Sequence, residues 1–491
     1  MSNTMKRSIF VPAILGILLG VTITPTVARN DIRLPDIGAP SDSVITPAEE
    51  QRLGKAFMRS LREQVEIVDD PLLTEYINEL GQRLVQHAGN SSDRGYRFFV
   101  VDNAAINAFA GPAGYIGLHT GLILATQSES ELASVLAHEI AHVEQKHLLR
   151  RFGKAREING KTIAMMLAGI ALGAAVSPQL GQAAVIGAQA GAAQAAINFT
   201  RANEEEADRI GIRILADAGF DPRTMPAFFD RLSRASRLYN NSAPEFLRTH
   251  PVSTNRLADA MARAEHYPYR QYPENPDYEL MRTRLKARQF DNARAAVTAF
   301  RSSLKEGRYR DKEAQRYGYV LALIRQRDHK AASREVVKLL EKSPSKPAYL
   351  LAEAEIALLK GDLRRALDVL ARGLKANPYH YPLTIRYAAL LLKNRENAKT
   401  RRTLLDILIS SPTVTPEVYD LLSQATGRLG RIAEAHRYKA EYFYLLDDLE
   451  AAIQQLKLVP RAKDNDFYET AKAEARLAEF EAELEDSKKR P

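Results

Sequence analysis

Residues 128–147 read Ser128-Glu129-Ser130-Glu131-Leu132-Ala133-Ser134-Val135-Leu136-Ala137-His138-Glu139-Ile140-Ala141-His142-Val143-Glu144-Gln145-Lys146-His147. The apolar spacing predicts one amphipathic helix over Ser128–His147, with Ser128 or Ser130 as its cap. His138 and His142 sit four residues apart, so both imidazoles leave one face of that helix. This spacing suits two ligands of a tetrahedral zinc ion. Glu139, beside the first histidine, is placed to act as general base on the attacking water and to pass the proton to the leaving amine. With only 10 histidines in 491 residues, a chance match to this pattern is improbable.

Working back toward the start, two short β-rich runs, Tyr96–Val101 and Tyr115–His119, flank a bend at Gly111-Pro112. Before them, Thr46-Pro47-Ala48-Glu49 is a capping box with proline at the first helical position, opening a helix through Leu53, Phe57 and Leu61. A second helix carries Leu73, Tyr76, Ile77, Leu80 and Leu84. The first 28 residues read as a signal peptide: Lys6 and Arg7, an apolar run from Ile9 to Thr24, then Thr26-Val27-Ala28 before a mature start at Arg29. Removing Lys6 and Arg7 takes the formal charge from +9 to +7. That charge is spread along the chain without an arginine-rich, aromatic-interleaved run, which argues against nucleic-acid binding. The absence of cysteine excludes disulfides, thiol catalysis and a lipidated N-terminal cysteine. A bacterial periplasm is the compartment expected.

Thr162–Thr200 holds 39 residues without Asp, Glu, Lys or Arg, with 13 alanines and 5 glycines, divided by Pro178. Its first piece is shorter than the roughly 20 residues a membrane span needs. It reads as a buried or interface-seeking helical hairpin with possible peripheral membrane contact; a double membrane span and a lid near the site are the alternatives. Tyr267–Asp277, with Pro268, Pro273 and Pro276, breaks the helical pattern and reads as a linker. Beyond it Pro344, Pro378 and Pro412 recur every 34 residues, the tetratricopeptide period. Ala332, Ala366 and Thr400 take the small position of each unit, where two helices approach closely; Val336, Leu370 and Leu404 take the bulky one. Gly361-Asp362-Leu363 forms a turn within one unit, degenerate units flank these, and Asp466–Leu484 reads as a capping helix.

Two histidines leave a tetrahedral ion short of a ligand. Arg201-Ala202-Asn203-Glu204-Glu205-Glu206-Ala207-Asp208 opens a further helix, and with Thr200 before it resembles the metallopeptidases related to HtpX and the CAAX prenyl protease. In that family the third ligand is the Glu of an E-x-x-A-D motif after a Ser/Thr-Arg pair. The resemblance implies Glu204 as metal ligand, with Glu205 the runner-up, and Asp208 as the carboxylate that orients a ligand histidine. Asn107-Ala108-Phe109, followed by Pro112, Gly114 and Tyr115-Ile116, is similar to the family's edge strand above the metal, which binds extended polypeptide backbone. Thr249-His250-Pro251, with Arg256 nearby, is a further family-like stretch. His250 would either stabilise an oxyanion or occupy the open zinc position and hold the enzyme latent; a helix-start cap is the plain alternative. His119 and His147 lack complementary ligand spacing and are not expected in the site.

The fold expected is α+β: a mainly helical zincin-type metallopeptidase domain with a small sheet over residues 29–266, a linker over 267–277, and an all-α tetratricopeptide-repeat domain over 278–491. The function expected is zinc endopeptidase activity, with one Zn2+ per chain. The resemblance, extended over nearly the whole mature chain, implies a periplasmic enzyme with a chaperone-like role. It would promote outer-membrane β-barrel assembly, degrade unfolded or misassembled outer-membrane proteins, and dock to the barrel assembly machinery through the repeats. A repeat scaffold with a vestigial zinc site, or a membrane-integral quality-control protease, are the other classes open.

Overall fold

The computed structural model describes residues 46–89, 95–152, 201–238, 244–411, 414–464 and 466–489, together with 165, 168 and 169. The leader read at 1–28, Pro412 and nearly all of Thr162–Thr200 lie outside the described residues. Thr46 opens α1 (Pro47–Gln64) as its sequence predicts: its hydroxyl accepts from the Glu49 N–H, and the Glu49 carboxylate accepts from the Thr46 N–H at 2.8 Å. Asp70 caps α2 (Pro71–Val85) by accepting from the Leu73 N–H. Then come β1 (Arg97–Val101), β2 (Ala108–Ala110) and β3 (Tyr115–His119). β3 lies in the middle, parallel to β1 and antiparallel to β2, with Phe99 opposite Gly117 and Phe109 opposite the same glycine. β2 is therefore an edge of this small sheet.

α3 (Thr120–Ala125) leads into α4 (Glu129–Glu144), whose start is fixed by Ser128, accepting from the Glu131 N–H at 3.2 Å. The structure corrects the single amphipathic helix expected over Ser128–His147 in two respects. Every residue from Glu131 to His142 is buried, so α4 is an internal helix with no solvent face. It also stops at Glu144, because Lys146 adopts a left-handed φ of 50°, and α5 (His147–Phe152) sets off in a new direction. The charged groups this burial carries inside are paired. Glu131 is bound by Arg231, and Glu129 accepts from Tyr76 Oη at 2.8 Å and Asn275 Nδ2 at 2.9 Å.

α6 (Arg201–Asp217) and α7 (Thr224–Leu238) pack on α4, α8 (Glu245–Thr249) sets Phe246 against His138, and α9 (Thr254–Glu265) packs on α6 and α7. Gly211 allows the closest approach: a Cβ there would lie 3.2 Å from the His138 backbone nitrogen and 3.0 Å from Met225 Cε. The stretch read as a linker runs without regular structure to Asn275, but helix α10 (Pro276–Arg288) starts inside it. Pro276 opens that helix rather than breaking one, since Asn275 caps it by accepting from the Asp277 N–H at 3.0 Å.

The rest is helical: α11 (Ala293–Glu306), α12 (Lys312–Arg325), α13 (His329–Leu340), α14 (Pro347–Leu359), α15 (Leu363–Ala376), α16 (Tyr381–Lys393) and α17 (Asn397–Ser410), then α18 (Pro416–Arg428), α19 (Ile432–Leu445), α20 (Leu449–Leu458) and α21 (Phe467–Lys489). Ala332, Ala366, Thr400, Val336, Leu370 and Leu404 are all buried between successive helices. Gly361, with φ 78°, turns the chain between α14 and α15, and Asp362 caps the latter.

These helices return to the first half at several places. One apolar core runs from α2 and α4 into α10–α14. Tyr278 Oη donates to Thr126 Oγ1 at 2.9 Å, and Arg284 bridges Asp70 at 2.6 Å and Tyr317 Oη at 2.7 Å. Farther along, Tyr381 N–H donates to Glu75 at 3.2 Å. Lys55 of α1 reaches Glu483 and Tyr444 Oη, and Arg59 reaches Asp447. Among the described residues no helix is long and apolar enough to cross a membrane.

Candidate metal centre

α4 carries His138, Glu139 and His142 into the interior, α6 brings Glu204 and Asp208, and the chain after α8 brings His250. His138, His142, Glu204 and His250 offer four donor atoms that all lie within 4.8 Å of one another, a group able to hold a metal ion. The two α4 imidazoles meet through their Nε2 atoms at 3.0 Å, each 3.5 Å from a different Glu204 oxygen. His250 Nδ1 is 3.1 and 3.2 Å from the Glu204 oxygens and 3.3 Å from His138 Nε2. Its Nε2 lies 3.4 Å from Glu139 Oε1.

A second layer holds these groups in place. Asp208 Oδ1 is 3.0 Å from His138 Nδ1. Arg256, itself 2% exposed, binds Asp208 through two parallel bonds of 2.8 Å, and its Nη1 reaches Glu204 Oε2 at 2.9 Å and the Pro251 carbonyl at 2.7 Å. This bidentate fork fixes both carboxylates against each other. On the far side, His142 Nδ1 is 2.8 Å from His147 Nδ1, whose Nε2 is 3.2 Å from Glu206 Oε2.

The electrostatics favour a cation at the centre. Burial opposes the charge of Glu204, yet His250, His142 and His138 around it hold its carboxyl well below the usual range. Burial likewise opposes the charge of Asp208, but His138 and Arg256 keep it ionised. His138 is held up to about 9: burial lowers it, and Asp208 and Glu204 more than reverse that. Burial pushes His142 well below its ordinary value and raises Glu139. Nδ1 of each α4 histidine is turned to an outer partner, and both Nε2 atoms, 3.0 Å apart, face the Glu204 carboxylate, so the donors converge on one point. Nitrogen and carboxylate donors in this number suit zinc.

Comparison with known proteins agrees with this chemistry. Residues 71–264 match the model of peptidase family M48. The chain is 38% identical over 90% of its length, and 91% of the relative's, to a putative beta-barrel assembly-enhancing protease of Vibrio cholerae. It is 34% identical over 93% of its length, and 92% of the relative's, to the beta-barrel assembly-enhancing protease of Escherichia coli K12. The chain belongs to peptidase family M48. A more distant likeness, 27% identity over 45% of this chain and 42% of the relative, joins it to the mitochondrial metalloendopeptidase OMA1 of Arabidopsis thaliana. This M48 peptidase is a metalloendopeptidase.

Within the M48 chain, His138, Glu139, His142, Glu204, Asp208 and His250 converge on one buried spot. Glu205 does not: it is exposed, about 100° round α6 from Glu204. His250 is not at a helix start, since it ends α8, donating its N–H to Phe246, while α9 begins at Thr254 under Ser253. His119 is buried against Phe109 and stands apart from the donor group. His147 lies outside the donor group, and the left-handed turn at Lys146 brings it against His142. Arg256 also plays a larger part than its place near a family-like stretch implied. The one sign in the sequence was a lone arginine three residues after a capping serine.

Proposed function

We propose that His138, His142 and Glu204 hold one zinc ion per chain and that Glu139 is the general base of peptide hydrolysis. Glu139 carries the reading. It is fully buried beside the donor group, neither of its oxygens has a hydrogen-bond partner of good geometry, and burial already favours its protonated form. The carboxylate is thereby a stronger base, able to take a proton from an attacking water and return it to the leaving amine. Zinc bound there would polarise the scissile carbonyl and make that water more acidic. Asp208 keeps His138 turned with Nε2 inward, and Arg256 keeps Asp208 ionised and aligns both Asp208 and Glu204. β2, an edge strand reaching Ala110 close to Glu139, offers main-chain groups to an extended polypeptide, so recognition falls on backbone more than on sequence.

His250 Nδ1 lies among the donor atoms at 3.1–3.3 Å, which favours a fourth, occluding ligand over an oxyanion donor. Replacing His250 by alanine then raises hydrolysis and self-cleavage; a fall in kcat of about 10²–10³ supports the oxyanion role instead.

The names of the relatives support outer-membrane β-barrel assembly as the process served, with misassembled barrel proteins as substrates and the periplasm as the compartment. The helical pairs after residue 277, with their 34-residue spacing, support a tetratricopeptide domain that docks the barrel assembly machinery. Zinc content, caseinolysis, N-terminal sequencing of the periplasmic form, and crosslinking to barrel precursors test these parts separately. Full metal occupancy in His142→Ala overturns the zinc assignment.

A further inference from the structure

We infer that Glu206 and His147 form a two-residue relay that orients His142 toward the metal, a positioning role that rests on the zinc site proposed above. His138 and His142 are equivalent by motif, yet the structure supports them differently. His138 leans directly on a carboxylate, Asp208, which Arg256 locks. His142 has a second imidazole there instead, His147, and the carboxylate comes one step later.

Hydrogen-bond bookkeeping gives this chain one direction. An ionised carboxylate only accepts, so the proton between His147 Nε2 and Glu206 belongs to His147. A neutral His147 then presents a lone pair at Nδ1. Two imidazole nitrogens 2.8 Å apart share one proton, so His142 donates from Nδ1. His142 Nε2 is thereby left as a lone pair aimed at His138 Nε2 and Glu204, which is the form a metal requires. The reverse tautomer would place a hydrogen among the donor atoms.

The backbone is shaped for this contact. Five residues of continuous α-helix turn about 500°, which would set His147 on another face from His142. The φ of 50° at Lys146, uncommon for a residue with a side chain, ends α4 and swings His147 under the second histidine. His147 is fully buried, whereas the Glu206 side chain is 32% exposed and also meets Arg209 at 3.7 Å. The outer link can therefore be removed without opening the core.

The test is zinc affinity of the full chain by competition with a chromophoric chelator, with the thermal midpoint of each metal-free variant measured alongside. Glu206→Ala should weaken zinc binding by about 10-fold or more, the usual range for a lost outer partner being 10–100-fold, and leave the metal-free midpoint where it was. Glu206→Gln, whose amide oxygen still accepts, should recover part of the loss. Arg209→Ala should bind zinc as the wild type does, which separates the relay from the surface ion pair. At saturating zinc, KM should be unchanged in all three. Wild-type affinity in Glu206→Ala overturns the relay, as does a loss in His147→Ala that Glu206→Ala does not share. A wild-type chain that binds no zinc overturns the site itself and, with it, this inference.

Discussion

The metal centre and the helical pairs beyond residue 277 are buried to the same degree by opposite means. Around α4, Glu204, Asp208, Arg256 and His138 are each 2% exposed or less, and each touches at least two of the others through directional contacts. In α15 and α16, Ala366, Leu370, Leu383 and Leu391 are as deeply covered and pack in an apolar cluster with Leu350, Val369 and Tyr387. Apolar burial yields stability roughly in proportion to area, so a lost side chain costs what it covered plus its cavity. A buried charge network behaves otherwise, because removing one member leaves its partners charged and dry. The first region is organised for chemistry and is brittle; the second is organised for spacing and is tolerant.

The largest effect should come from the one group of the centre that holds nothing else together. Glu139→Gln keeps size and burial, so zinc and fold should persist while peptide hydrolysis falls by about 10²–10⁴, measured on casein or a quenched peptide. Binding to unfolded barrel proteins should survive, since the helical pairs are untouched; loss of binding equal to that on deleting residues 277–491 would break the separation between the regions. Arg256→Ala comes next. Leaving Asp208 and Glu204 uncompensated should destabilise the chain by about 3–5 kcal/mol and lower zinc content, read by urea titration and metal analysis. Leu370→Ala should cost a comparable about 2–5 kcal/mol in the helical region yet leave zinc content and hydrolysis per folded molecule unchanged. Loss of zinc in that variant would mean that the two regions are coupled more tightly than their contacts indicate.

A smaller effect probes the contact between them. Burial, aided by Glu79, pushes the Glu75 carboxyl up to about 8, although the Tyr381 amide opposes this; burial also pushes His380 down to about 4. The 3.3 Å contact between Glu75 and His380 is therefore one of neutral groups at neutral pH. Because the folded value for Glu75 lies above its ordinary 4.5, the folded chain keeps a proton that the unfolded chain releases. That contribution is fully present below about pH 4.5 and is lost as pH rises through about 8. Glu75→Gln should flatten the decline of the thermal midpoint between those limits and raise it at pH 8 by about 2–4 °C. An unchanged slope would mean that Glu75 is ionised in the folded state.

The parts legible in the sequence were those written in local patterns. Thr46, Glu49 and Pro47 announce α1; His138, Glu139 and His142 announce the centre; the buried small and bulky positions of the 34-residue period announce the helical pairs. What escaped depends on the backbone leaving a pattern or on distant chain segments meeting. Lys146 in a left-handed conformation cannot be read from a run that otherwise continues a helix, and the contact of His147 with His142 was hidden with it. The amphipathic reading of α4 failed because its polar residues, Glu131 among them, find buried partners such as Arg231 far along the chain. Pro276 was read as a breaker, whereas Asn275 before it makes it a first helical residue.

The central claim is that a zinc ion sits among His138, His142 and Glu204, with Glu139 beside it as base and not as ligand. Zinc per chain in the purified wild type, Glu139→Gln, Glu204→Gln and Glu205→Gln, measured by elemental analysis, tests it most directly. The account predicts about one zinc per chain in the wild type, in Glu139→Gln and in Glu205→Gln, and most of the metal gone from Glu204→Gln. Full zinc in Glu204→Gln, or an empty site in Glu205→Gln, would contradict it.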